Sequence, residues 1–213
     1  MKPVHVVLVP GADGLPFPED VHRAERQGAV VHALEMPGFH GHPIDACRAQ
    51  FAAVSDCIAS TVSRIRERAN GAAVVGIGRN LGGSHLAWHA AERNDLDALV
   101  LAGAIPDLSR FRAESDHEGA RRFRASLAAS ADAGRIGETA AFDLSVALRR
   151  IGPASCLAQA GTLDPWLDDT SFAVFRDLAK EGFRVEFLSD NHRMVSSDAL
   201  AQRWDFIAQV ATP

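Results

Sequence analysis

The residue types able to do acid–base or hydrogen-bonding chemistry gather at turns that follow short apolar runs. One is Gly78-Arg79-Asn80-Leu81-Gly82-Gly83, which comes straight after Val74-Val75-Gly76-Ile77. It reads as a strand, a tight turn flanked by glycines, and then a helix. Asparagine tolerates positive φ better than other non-glycine residues, so Asn80 suits a strained turn. Its carboxamide can donate and accept hydrogen bonds, but it is not an alkoxide precursor. A second place is Gly161-Thr162-Leu163-Asp164-Pro165, and a third is Ser189-Asp190-Asn191-His192. Histidine is the side chain whose ordinary pKa best suits proton transfer near neutral pH. His85 and His89 stand four apart and could share a metal if they lie on a helix. No third ligand is evident, and the small residues around them suggest packing against a sheet, so no metal site is expected. His40 and His42 also lack metal-ligand spacing with any partner and fit an ordinary surface loop.

These turns need elements to position them. Val4–Val9, Ala29–Leu34, Ala72–Ile77, Ala98–Gly103, Ala154–Ala160 and Phe183–Leu188 are compact apolar runs that read as buried strands. Between them the period changes. Ile44, Cys47, Phe51, Val54, Ile58, Val62 and Ile65 step by three or four, the stripe of an amphipathic helix ending near Asn70-Gly71. Leu81–Glu92, Phe172–Lys180 and Ala199–Val210 read as further helices. Near-continuous apolar strands alternating with helices predict a parallel sheet of about six strands covered on both faces. In open sheets of this kind ligands bind at the carboxyl ends of the strands, where all three turns fall. Residues 105–150 are longer than one crossover helix requires and are rich in Ala and Arg. They are expected to form two or three helices outside the sheet, a cap on a single domain spanning 1–213. Arg110, Arg112, Arg121, Arg122 and Arg124 in that stretch either hold an anionic group over the cleft or form a solvated face.

The strand–turn–helix around Asn80 is the context of a G-x-S-x-G nucleophile elbow. On these residues the sequence resembles the α/β-hydrolase superfamily, with Gly78 and Gly82 matching the flanking glycines and Asn80 in the serine's place. The segment after the fifth run is similar to the family's G-x-x-D-P, a resemblance that implies Asp164 as the triad acid. His192 falls where the family carries its histidine. Many relatives have glycine before it, whereas this chain has Asn191, and Asp190 is a rival partner for the ring. The resemblance also implies an oxyanion hole. The loop Pro10-Gly11-Ala12-Asp13-Gly14 would supply one N–H and the backbone of Leu81 the other, with Asp13 either touching substrate or capping the turn. Residues 35–42 (Glu35 to His42) resemble the family's D-x-P-G-x-G-x-S loop. The expected architecture is the α/β-hydrolase fold with a helical cap.

Composition narrows the partners. At 213 residues, 47% hydrophobic and 23% charged, the chain is an ordinary globular protein. A net charge of -5 gives no electrostatic reason to bind nucleic acid or anionic membranes. No apolar run reaches the roughly 20 residues that span a bilayer. Three cysteines cannot all pair, and no secretory signal precedes the first strand, so a cytoplasmic place is expected. A small-molecule substrate is expected, with no cofactor, since neither a dinucleotide fingerprint nor a P-loop is present. A homodimer is the general prior for oligomeric state.

Removing the nucleophile from a serine hydrolase costs about 10⁶ in rate, so Asn80 rules out a serine acyl-enzyme. Three readings follow. His192 with Asp164 acts as a general base on water or a substrate proton, with Asn80 positioning the reactant. Alternatively the pocket binds a small ligand or a protein without turnover. Or Asn80 is a masked aspartate, the nucleophile of dehalogenase and epoxide-hydrolase relatives, though Leu81 after it disfavours the deamidation required.

Overall fold

The structure is a computed structural model. It describes residues 3–11, 17–35, 43–106 and 143–211, with three isolated helical positions at 121, 125 and 128. Six strands form one sheet: β1 (His5–Val9), β2 (Val30–Ala33), β3 (Val74–Arg79), β4 (Ala98–Ala102), β5 (Cys156–Gly161) and β6 (Arg184–Leu188). Their order across the sheet is β2-β1-β3-β4-β5-β6, and every pairing is parallel. The described helices are α1 (Pro18–Gln27), α2 (Pro43–Arg68), α3 (Leu81–Arg93), α4 (Leu144–Ile151), α5 (Asp169–Lys180) and α6 (Ser197–Val210).

Side chains alternate across a strand, so each buried run feeds two cores. Val7, Val9, Val74, Leu99, Leu101 and Ala158 face the core built with α2, α3, α4 and α5. Val6, Leu8, Val75, Ile77, Val100 and Leu157 face Ala24 of α1 and Trp204, Phe206 and Ile207 of α6. This two-sided burial explains why β1, β3, β4 and β5 are buried at every residue. The edge strands β2 and β6 are only partly covered. Among the described residues no helix is long and apolar enough to cross a membrane.

Two segments differ from the sequence reading. Helix α1 was not expected, because only Asp20 and Ala24 of its ten residues are buried and its composition is polar. Proline at its start suits the first helical turn. The other is the end of the segment expected to be a cap over 105–150. Leu144, Ala147 and Leu148 of α4 are fully buried in the core below α3, and Ile105 is 2% exposed. Helix α4 therefore covers the sheet as a crossover element. Apart from positions 121, 125 and 128, residues 107–142 lie outside the described residues, and with them Arg110, Arg112, Arg122 and Arg124.

Candidate active site

The turn from β3 to α3 is built by close backbone contact. A Cβ on Gly82 would sit 2.3 Å from the carbonyl oxygens of both Val9 and Pro10. One on Gly78 would lie 2.6 Å from the Gly82 oxygen. These two glycines let the first turn of α3 press against the end of β1. Between them Asn80 adopts φ 53° and ψ −126°, a conformation that L-residues rarely hold and that costs about 1–3 kcal/mol. Its N–H donates to the Ala102 carbonyl at 3.1 Å, and its carbonyl accepts from Gly83 at 3.0 Å. Ser84, one helical turn further on, is fully buried and its hydroxyl points to the Ile105 carbonyl at 3.4 Å. It does not stand in for a nucleophile.

Asp164 and His192 come from the ends of β5 and β6, and the two loops are zipped together. Thr162 N–H donates to the Leu188 carbonyl at 2.7 Å, and Leu163 N–H to the Asp190 carbonyl at 3.0 Å. The Asp164 side chain is wholly buried, and its Oδ2 lies 2.9 Å from His192 Nδ1. Its Oδ1 lies at 2.9 Å from the same nitrogen and accepts from Trp166 N–H at 2.8 Å. A carboxylate only accepts, so Nδ1 carries the proton and Nε2 of the neutral ring is left with a lone pair. Asn80 Nδ2 donates to that Nε2, while Asn80 Oδ1 accepts from Leu81 N–H. The two bonds fix the orientation of the carboxamide, since Leu81 N–H can only donate.

The structure brings together Asn80, Asp164, His192 and Leu81. It places Asp190 elsewhere. That carboxylate accepts from Asn191 N–H and from Ser196 N–H, each at 2.8 Å, and so braces the histidine loop. Gly11 is buried just past the end of β1, next to Pro10, whose carbonyl closes on Gly82. Ala12, Asp13, His40 and His42 lie outside the described residues. Sequence reasoning passed over Trp166, whose ring stacks on His192 with centroids 5.1 Å apart and planes 20° from parallel. It fixes the plane of the imidazole, and its only signal was a tryptophan two residues beyond Asp164.

The two helix histidines have structural partners. His85 Nδ1 lies 2.6 Å from the Leu81 carbonyl, and its ring stacks on Phe51 with centroids 4.0 Å apart. Burial pushes its pKa down to about 4. His89 contacts Ser55 Oγ at 2.9 Å and Asp95 at 2.9 Å, and burial lowers its pKa too. Among the described residues no group of His, Cys, Asp and Glu could hold a metal.

Neither a known family nor a curated protein matches the sequence. Solved structures do. A lipase in its open form superposes with a TM-score of 0.69 at 16% identity, covering 100% of this chain and 92% of the other. A monoacylglycerol lipase from Paleococcus ferrophilus gives 0.64 at 14% identity, covering 99% and 96%. A structure from a study of carboxylesterases of Nitrososphaera gargenis gives 0.64 at 16% identity, covering 98% and 91%. The chain has the α/β-hydrolase fold.

Proposed function

We propose that this protein acts on a small acyl or carbonyl substrate through His192, oriented by Asp164, as a general base without a serine nucleophile. The observation that carries the reading is the His192–Asp164 pair. It is held at 2.9 Å to both carboxylate oxygens, and the ring's other nitrogen faces the elbow, where it meets the Asn80 carboxamide. A side chain that cannot attack stands at the nucleophile position, so attack would fall to water or to a group of the substrate. Leu81 N–H and the loop after Gly11, including Ala12 and Asp13, would stabilise the enolate or alkoxide that develops, each donor contributing about 3–4 kcal/mol. Proton-transfer chemistry such as a lyase or cyclase step, or hydrolysis of an activated carbonyl, fits such a site. The substrate class accords with the lipases and carboxylesterases whose fold the chain shares.

One observation favours a second reading, a ligand-binding protein without turnover. The Asn80 carboxamide satisfies both His192 Nε2 and Leu81 N–H, so a substrate must displace it from both. A cytoplasmic place belongs to the same proposal. It is supported by the three cysteines, which cannot all pair and form no C-x-x-C motif.

Fluorophosphonate labelling of the native protein and its Asn80→Ser variant, read by intact mass, tests the proposal. Label on the variant alone is the expected result, because base, acid and oxyanion donors then await only a nucleophile. No label on either moves the binding reading ahead. Label on another residue of the native protein contradicts the assignment of the elbow.

A further inference from the structure

The histidine loop is anchored from beneath by a buried charged cluster that the chemistry above does not use. Arg203, on α6, is fully buried. Its Nη1 donates to Asp20 Oδ2 at 2.7 Å, its Nε to Gln159 Oε1 at 3.2 Å, and its Nη2 to the Met194 carbonyl. Asp20 comes from α1 and is 1% exposed; its other oxygen accepts from Trp204 Nε1 at 3.0 Å. Gln159, on β5, donates in turn to the Ala199 carbonyl at 2.8 Å. Arg79, the residue before Asn80, is close enough to act on the charge of Asp20, and its guanidinium sits 4.3 Å over the Phe17 ring.

Met194 is the point of contact with the site. It lies two residues past His192, is fully buried, and holds φ 51°, so the loop turns sharply there. A Cβ on Gly103 would lie 2.8 Å from the His192 carbonyl and 3.5 Å from Met194 Cγ, so the loop sits directly on the end of β4. Stability alone is a weak reason for such a cluster. A buried ion pair pays a desolvation cost that packed apolar residues of similar volume avoid. What the guanidinium adds is a planar fork that can hold a carboxylate and a carbonyl at once in fixed geometry.

We propose that Arg203 is a positioning residue for His192: neutralised by Asp20, it clamps the Met194 carbonyl and so sets the His192 ring against Asp164 and Asn80. The proposal rests on the reading of His192 as the working base, but a readout in the native protein tests it without any substrate. His192 Nδ1–H, bonded to buried Asp164, should give a slowly exchanging low-field proton in ring-labelled histidine NMR. The second readout is the rate of fluorophosphonate labelling in the Asn80→Ser background.

Two changes are compared, Arg203→Lys and the apolar pair Arg203→Met with Asp20→Leu, which removes both charges of the buried pair together. Lysine keeps the charge but not the fork, so roughly a tenfold loss of labelling rate is expected with the low-field proton broadened. The apolar pair should remain cooperatively folded, lose the proton signal, and label about a hundredfold more slowly, the scale of a misplacement near 1 Å. Folded variants that keep the proton signal and label within about twofold of the parent would overturn the proposal. Should the apolar pair not fold, Arg203→Lys decides the matter on the same two readouts. Should Asn80→Ser itself not label, the function proposed above fails, and the proton signal still reads the clamp.

Discussion

The two sides of the site are held in place by different means. On the elbow side, position is set by the backbone: two glycines in contact with carbonyls, a residue at φ 53°, and a bond to Ala102. On the acid–histidine side the backbone joins the two loops, but the ring itself is set by side chains: the Asp164 carboxylate, the Trp166 ring and the Asp190 brace. A substitution at the elbow that tolerates the backbone conformation leaves the architecture standing, and asparagine is such a residue. The histidine side has no such latitude, since its geometry is its chemistry. The residue at the elbow can therefore differ while Asp164 and His192 stay assembled beside it.

The largest effect that would sharpen this contrast is expected at Asp164. In the Asn80→Ser background, Asp164→Asn should slow fluorophosphonate labelling about 10⁴-fold, since the amide favours the wrong imidazole tautomer. Asp190→Asn should change it far less, because that group touches backbone N–H groups and not the ring. Equal losses from the two would erase the distinction between orienting and bracing.

A second effect lies on the elbow side and depends on pH. Burial holds the folded pKa of His85 at about 4, below its ordinary 6.5. The unfolded chain therefore binds more protons between those values, and stability falls as pH falls through that window. The full effect is about 3 kcal/mol below pH 4. His85→Phe should flatten this acid limb in urea unfolding measured from pH 7 to pH 4. An unchanged limb would mean that His85 is not held neutral by the fold.

Next in size is the backbone contact itself. Gly82→Ala places a methyl 2.3 Å from two backbone oxygens, which neither can yield cheaply. A loss of about 2–3 kcal/mol in urea unfolding is expected, with a weaker elbow as its consequence. Retained stability would show that the turn has slack. The smallest effect is expected at Trp166. Trp166→Ala removes a stacked ring worth about 1 kcal/mol, so the labelling rate of Asn80→Ser should fall only about fivefold. A loss as large as that of Asp164→Asn would give the ring a role beyond holding the imidazole plane.

These differences also decide what could be read in advance. The six strands were legible because burial on both faces makes each a continuous apolar run, and their ends brought Asn80, Asp164 and His192 to one edge. Helix α1 was not legible, since it buries a carboxylate and an alanine where a stripe of apolar residues is normally sought. The packing of α4 was not legible for a related reason. Leu144, Ala147 and Leu148 form a short apolar face on an Arg-containing helix, and only the fold shows that it packs on the sheet. Asp20 and Arg203 stand far apart in sequence and meet only in the folded chain, so no local pattern could pair them. The choice between Asp164 and Asp190 likewise needed coordinates, because both flank the histidine in sequence or in type.

The most direct test of the central claim is to compare labelling of Asn80→Ser with that of Asn80→Ser/His192→Ala at equal protein and probe concentration. The account predicts a fast reaction in the first and a loss of about 10⁴-fold or more in the second, because His192 is the base that deprotonates the introduced serine. Equal rates would mean that the serine is activated by something else, and that His192, for all its contact with Asp164, is not the base of this site.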